Sequence, residues 1–198
     1  MLTVFGRCNS SNSAKVFWLL DELGQDYRLV PTGRGFGPTD TPEFLAMNPF
    51  GKVPVVRDGD TVVWESNAVL RYLAGRQPTL LWPQETGARS RVDGWMDWAS
   101  ISFTPVMTRL RKARAAGKTE DADLPAVKAA VAALDSWLAD HRFLAGDQLS
   151  LADITAAPSV HRWFLLPESG AEFPHLRAYA QRLGTNPHYQ RHIRDALS

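Results

Sequence analysis

The chain has 198 residues, 44% of them hydrophobic and 22% charged, with 22 Lys and Arg against 21 Asp and Glu and a formal net charge of +1. This is the composition of an ordinary globular protein, one large domain or two small ones, and it excludes a disordered or fibrous chain. It also supplies no global field for nucleic acid or an anionic membrane, so an acidic ligand has to be held locally. No apolar run reaches the ~20 residues that cross a bilayer, and Met1 to Arg7 turns polar too early for a secretory signal, which points to the cytoplasm. The single cysteine, Cys8, rules out an internal disulfide, a cysteine-based zinc site and a two-thiol redox motif together.

In chain order, the first part alternates β-rich runs with helical patterns. Leu2 to Phe5 reads as a strand. Lys15 to Leu23 follows as a helix, with Val16, Leu19, Leu20 and Leu23 on one apolar stripe and Gly24 as its stop. Tyr27 to Val30 is the second strand, and the crossover makes it parallel to the first. Thr41, Pro42 and Glu43 supply an N-cap, a proline at the first helical position and an early acid, which predicts a short helix ending at Asn48 and Pro49. Val53 to Arg57 and Thr61 to Trp64 flank Asp58-Gly59, a tight-hairpin signal, and Ala68 to Ala74 closes the unit as a helix. The order is βαβαββα on a mixed sheet, an α/β domain over 1–76. Residues 77–88 carry prolines and a glycine without period and read as a linker. Beyond it Arg89 to Arg114, Leu124 to Ala139, Leu151 to Phe164, Pro174 to Leu183 and Pro187 to Leu197 are all helical patterns, so 89–198 reads as an all-α domain. Within it Ser150 and Asp153 form a capping box stapled by Leu149 and Ile154, a helix-nucleating device that presents no reactive group.

Three segments of the first domain bear on chemistry. Cys8 to Lys15 joins the first strand to the first helix and holds Ser10, Ser11, Asn12 and Ser13 at a helix N-terminus, where free N–H groups and the dipole favour an anion such as a thiolate. Taken by itself it also reads as a loop with redundant N-caps. Val53-Pro54 opens a strand with a residue that cannot donate to the ladder. A cis peptide there would turn the Val53 backbone toward an extended peptide ligand, and an edge-strand trans-proline is the plainer alternative. Glu65 and Ser66 stand where the last strand turns directly into a helix, a cap on one reading and a charged ligand contact on the other.

Taken together, Ser10-Ser11-Asn12-Ser13-Ala14-Lys15-Val16, the run from Asn48 to Pro54, Glu65-Ser66-Asn67-Ala68 and the Ser150/Asp153 box resemble the glutathione S-transferase superfamily, most of all its bacterial, serine-type members. The resemblance covers essentially the whole chain and implies a thioredoxin-like N-terminal domain followed by a helical one. It also implies a site. Glu65 would take the amino group and Ser66 the carboxylate of the γ-glutamyl end of glutathione, Val53 before a cis-Pro54 would pair with the cysteinyl part, and Lys52 would face the glycyl carboxylate. The sulfur donor falls on Ser11, with Ser10 or Asn12 as alternatives, and it acts by hydrogen bonding to the thiolate rather than as a base or covalent nucleophile. No metal is implied; glutathione is the co-substrate.

The activity so implied is transfer of glutathione to a small apolar electrophile in a homodimeric, cytoplasmic detoxification enzyme. A glutathione-dependent peroxidase or thiol-disulfide reductase, or a non-catalytic glutathione-binding protein on the same fold, are the alternatives. Trp95, Trp98, Phe103 and Met107 are candidates for the electrophile pocket and equally for core, and the loop Gly33 to Gly37 either borders that pocket or makes two glycine turns. Asp97 would reach a partner's glutathione across the dimer. Cys8, too early in the chain to be the sulfur donor, is expected to be a buried packing residue. His188 and His192 have metal-ligand spacing but no third ligand in sequence.

Overall fold

The first strand and helix form where the hydrophobic pattern puts them, as β1 (Leu2–Gly6) and α1 (Ser11–Glu22). The computed structural model describes residues 1–118, 122–170 and 172–197. There follow β2 (Tyr27–Pro31), α2 (Pro42–Met47), β3 (Val55–Asp58), β4 (Thr61–Trp64) and α3 (Ser66–Gly75). The sheet order is β2-β1-β3-β4. β1 runs parallel to β2, with Leu2 opposite Tyr27, and antiparallel to β3, with Val4 opposite Val56. Asp58 pairs with Thr61 around a turn in which Gly59 takes φ 59°, a left-handed conformation that glycine adopts without steric penalty. Thr41 caps α2 as expected, its Oγ1 accepting from the Phe44 N–H at 3.2 Å.

α1 departs from a one-sided amphipathic helix. Every residue from Ser13 to Leu20 is buried, because α1 has a second covered flank. That cover is His188–Leu197, which belongs to the same compact unit as Met1–Thr79 and not to the helical unit, Leu80–Pro187. Trp18 meets Tyr189 edge to face at 5.5 Å, and Phe17 lies 5.9 Å from the His192 ring. Asp21 Oδ2 holds the segment electrostatically, 2.7 Å from His192 Nε2, 3.3 Å from Arg191 Nη1 and 3.7 Å from His188 Nδ1. The two histidines at metal-ligand spacing thus flank one carboxylate that no local pattern reveals.

The end of β1 and the first turn of α1 approach so closely that a Cβ on Gly6 would stand 2.8 Å from Ser13 Oγ and 3.3 Å from the Phe17 ring. Gly6→Ala should therefore cost about 1–3 kcal/mol in a urea unfolding curve, as overpacking does. An unchanged midpoint would show that the β1–α1 contact yields freely.

The helical unit contains α4 (Thr86–Trp98), α5 (Thr104–Ala115), α6 (Leu124–Leu138), α7 (Leu151–Trp163) and α8 (Pro174–Gly184). The single helix expected over 89–114 is interrupted by a π-helical turn, Ala99–Phe103, in which the Thr104 N–H reaches back to the Ala99 carbonyl. Pro105 follows at once; it has no N–H for the regular ladder and crowds the preceding turn, and this irregularity takes up the conflict. At the start of α7 the buried Asp153 carboxylate accepts from the Ser150 N–H (2.8 Å), Ser150 Oγ (2.9 Å), the Leu144 N–H (2.9 Å) and Tyr179 Oη (2.9 Å). Burial pushes this carboxyl up, and the four donors pull against it.

Candidate functional site

The β1–α1 loop is shaped by its own small polar residues. The Ser10 N–H donates to the Arg7 carbonyl at 3.2 Å, and Ser10, extended at φ −100° and ψ 118°, caps α1 by accepting from the Ser13 N–H at 3.4 Å. The helix therefore begins at Ser11, four residues earlier than the pattern suggested. Ser10 is buried in its capping role, Ser11 is half-buried and Asn12 is exposed. No acidic residue occupies the first turn, so nothing offsets the positive end of the dipole there.

The second expected segment meets the first across the sheet edge. The Val53-Pro54 peptide is cis, and β3 begins only at Val55. Among the described residues, the Val53 N–H and carbonyl take part in no backbone hydrogen bond. The preceding loop is held by Asn48, whose Nδ2 donates to the Lys52 carbonyl at 2.7 Å and whose Oδ1 accepts from the Phe50 N–H at 3.1 Å. The Lys52 side chain is exposed.

The third segment is the turn from β4 into α3. Glu65 takes φ 66° and ψ 119°, an unfavourable conformation for a residue with a Cβ, and leaves its side chain exposed and out of the capping role. Ser66, buried, starts α3 and donates from Oγ to Asn12 Oδ1 at 3.4 Å. Beneath this pair Lys15 Nζ donates to Asn67 Oδ1 at 3.4 Å. Burial pulls the Lys15 ammonium down to about 8, and the Glu65 carboxylate opposes the shift. Two helix N-termini, 54 residues apart in sequence, are joined by side chains, with one cation below them and one carboxylate beside them.

Sequence reasoning did not find the Asn12–Ser66 and Lys15–Asn67 links, nor Lys15 as a buried charge. Its signal was present as a lone lysine inside the apolar run from Ala14 to Leu20. Cys8 is exposed, not buried as expected, because the loop projects it before the chain turns into α1. Trp95 and Trp98 line a cavity of about 610 Å³ within the helical unit, together with Leu134, Trp137 and His141. Phe103 and Met107 are both fully buried, Phe103 is stacked on Trp98 at 5.4 Å, and neither lines that cavity. Asp97 is exposed on α4.

Comparison with known proteins agrees with this geometry. Residues 1–75 match the family model of the glutathione S-transferase N-terminal domain and residues 98–187 that of the C-terminal domain. Glutathione S-transferase GstB of Escherichia coli (strain K12) is 34% identical over 197 residues, 94% of this chain and 95% of its own length. Glutathione S-transferase 3 of Zea mays is 31% identical over 97% of this chain and 93% of its own. Among solved structures, the theta class glutathione S-transferase of Xanthomonas axonopodis pv. citri, with glutathione bound, superposes with a TM-score of 0.90 at 37% identity, covering 100% of this chain and 99% of that one. A likeness of this depth, running through both the α/β and the helical half, means that the chain belongs to the glutathione S-transferase family and is a glutathione transferase.

Proposed function

We propose that glutathione lies along the edge made by Val53, the start of α1 and the start of α3. The γ-glutamyl carboxylate sits on the N-terminus of α3 at Ser66, its amino group against Glu65, the cysteinyl backbone against Val53 beside Pro54, and the glycyl carboxylate toward Lys52. The observation that carries this reading is the Ser66–Asn12 hydrogen bond, which sets two helix N-termini side by side. Each favours one anion, and the bound tripeptide offers two, its α-carboxylate and its thiolate. A zwitterionic peptide leaves water only where its charges are met, and the site has a group for each.

A free thiol with a pKa near 8.5 is only a few per cent thiolate at neutral pH, and each unit of lowering corresponds to about 1.4 kcal/mol of preferential stabilisation. Ser11 is the donor to the sulfur. Ser10 Oγ is held in the cap by the Ser13 N–H it accepts and Asn12 Oδ1 is turned to the Ser66 hydroxyl it accepts, so the half-buried Ser11 Oγ is the donor assigned to the anion, assisted by the open amides of the first turn. The thiolate then attacks an electrophilic carbon. The enzyme acts as a homodimer in the cytoplasm.

Ultraviolet difference titration of the complex with glutathione, with the oxygen analogue of the tripeptide as control, tests this. The wild type should show a bound thiol well below its free pKa, and Ser11→Ala should raise it by about one to two units, the worth of one hydrogen bond to an anion. A wild-type curve in Ser11→Ala, with the rise in Ser10→Ala or Asn12→Ala instead, would move the role to that residue.

A further inference from the structure

The sheet face turned away from α1 carries a cluster that the peptide site does not use. Tyr27 stacks on Phe17 of α1 at 5.8 Å, so Arg28, the next residue on β2, projects to the opposite face. The register sets Thr3 of β1 opposite Arg28 on one side and opposite Arg57 of β3 on the other. Directly paired residues share a face, so the three form one row across the sheet, with the arginine Cα atoms about 10 Å apart. Phe5 lies further along β1 on the same face, and the Arg57 guanidinium stands 5.9 Å from its ring, which draws that cation inward over β1. Arg28, Thr3 and Arg57 line one open cavity of about 660 Å³ with Met1, Gly59 and Asp60.

Charge sets this row apart. Elsewhere the chain pairs arginines with carboxylates, Arg76 with Asp58 at 3.3 Å, Arg109 with Asp123 at 2.7 Å and Arg114 with Glu168. Arg28 and Arg57 are exposed, and among the described residues neither has a hydrogen bond or an ion pair. Asp60, on the turn after β3, lines the same cavity and pairs with neither of them. Thr3 is only 5% exposed between the two cations, and its hydroxyl makes no hydrogen bond among the described residues. A solubilising role asks that each arginine be exposed. It does not ask that two flank a buried hydroxyl in one row. Two guanidinium forks and an O–H are a donor set for a tetrahedral oxyanion, and a phosphate monoester, with nearly two charges and three acceptor oxygens at neutral pH, meets all three.

We propose that Arg28, Thr3 and Arg57 hold a phosphate group on this face of the sheet, at the other end of β1 from the loop that carries Ser11. The cavity has the volume of a small-molecule site and takes either free phosphate or a phosphorylated molecule of nucleotide size. The arginines supply charge and orientation, Thr3 fixes the depth at which the phosphate sits, and Asp60 opposes binding from the rim. The site stands whether or not glutathione occupies the opposite edge.

Calorimetric titration of the full chain at low ionic strength tests this, with inorganic phosphate and AMP as probes and acetate at matched ionic strength as control. Wild type should bind phosphate and AMP at least about tenfold more tightly than acetate. Arg28→Gln and Arg57→Gln should each weaken both by about tenfold to a hundredfold, the range of a charged hydrogen bond, and Thr3→Val by about threefold to tenfold. Asp60→Asn, which removes the opposing charge, should tighten them about threefold. Both arginines are exposed, and Arg28 touches no other side chain in a recorded pair, so its variant reads binding without disturbing the fold. AMP binding more tightly than phosphate identifies an organic phosphate as the ligand, and equal binding identifies free phosphate; either supports the site. Wild-type affinity in both arginine variants, or acetate bound as tightly as phosphate, overturns it. Loss of phosphate binding when glutathione is added in excess would put the anion at the helix N-termini of the peptide site and overturn it too.

Discussion

Lys15→Met yields a more stable protein that has lost much of its grip on glutathione. The Lys15 ammonium is buried and its pKa is pulled down to about 8, against about 10.4 for a lysine in an unfolded chain. At pH 7 it is charged in both states, and holding that charge inside costs up to about 3 kcal/mol, which methionine of similar volume does not incur. The sign of the pH dependence follows. Between about pH 8 and 10.4 the unfolded chain binds a proton that the folded chain has released, so wild-type stability gains from this group as pH rises, and Lys15→Met lacks that gain. Urea unfolding at pH 7 and pH 9.5 should show the variant ahead at the lower pH and the gap narrowing at the higher. Removing the cation that lies beneath Ser66 and Glu65 should at the same time weaken glutathione about tenfold by calorimetry. A variant less stable than wild type at pH 7 would mean that the Asn67 hydrogen bond outweighs the desolvation.

Ser66→Ala and Glu65→Gln should each reduce glutathione affinity by about tenfold to a hundredfold, since each leaves one charge of the peptide unmet in a site built for it. The more telling substitution is Glu65→Gly. At φ 66° a side chain costs about 1–3 kcal/mol, which glycine escapes at the expense of about 1 kcal/mol of extra chain entropy. Its urea midpoint should stay level or rise while glutathione binding falls as in Glu65→Gln. An exposed helix-capping glutamate with no such strain would lose stability on the same change, so a drop in midpoint would remove the strain argument.

Much of this was legible from residue order. The βαβαββα pattern, the hairpin, the cap at Thr41 and the buried Ser150/Asp153 box all rest on contacts within a few residues, and local chemistry reports those faithfully. The candidate site was legible as three segments, Ser10 to Asn12, Val53-Pro54 and Glu65-Ser66, and only as segments. That the starts of α1 and α3 lie side by side depends on Ser66 reaching Asn12 across 54 positions, a fact of packing that no window contains. The interruption at Ala99–Phe103 was missed because the apolar spacing on either side continues through it, although Pro105 stood there as a warning.

The attachment of His188–Leu197 to α1 bears on how the protein is made. A ribosome releases Met1–Thr79 long before it reaches Tyr189, His192 and Ile193, and the entire helical unit is synthesised in between. Until then Phe17 and Trp18 lack part of their cover, so the peptide-binding unit, first to emerge, is the last to be completed, and the helical unit has finished translation before its neighbour can close.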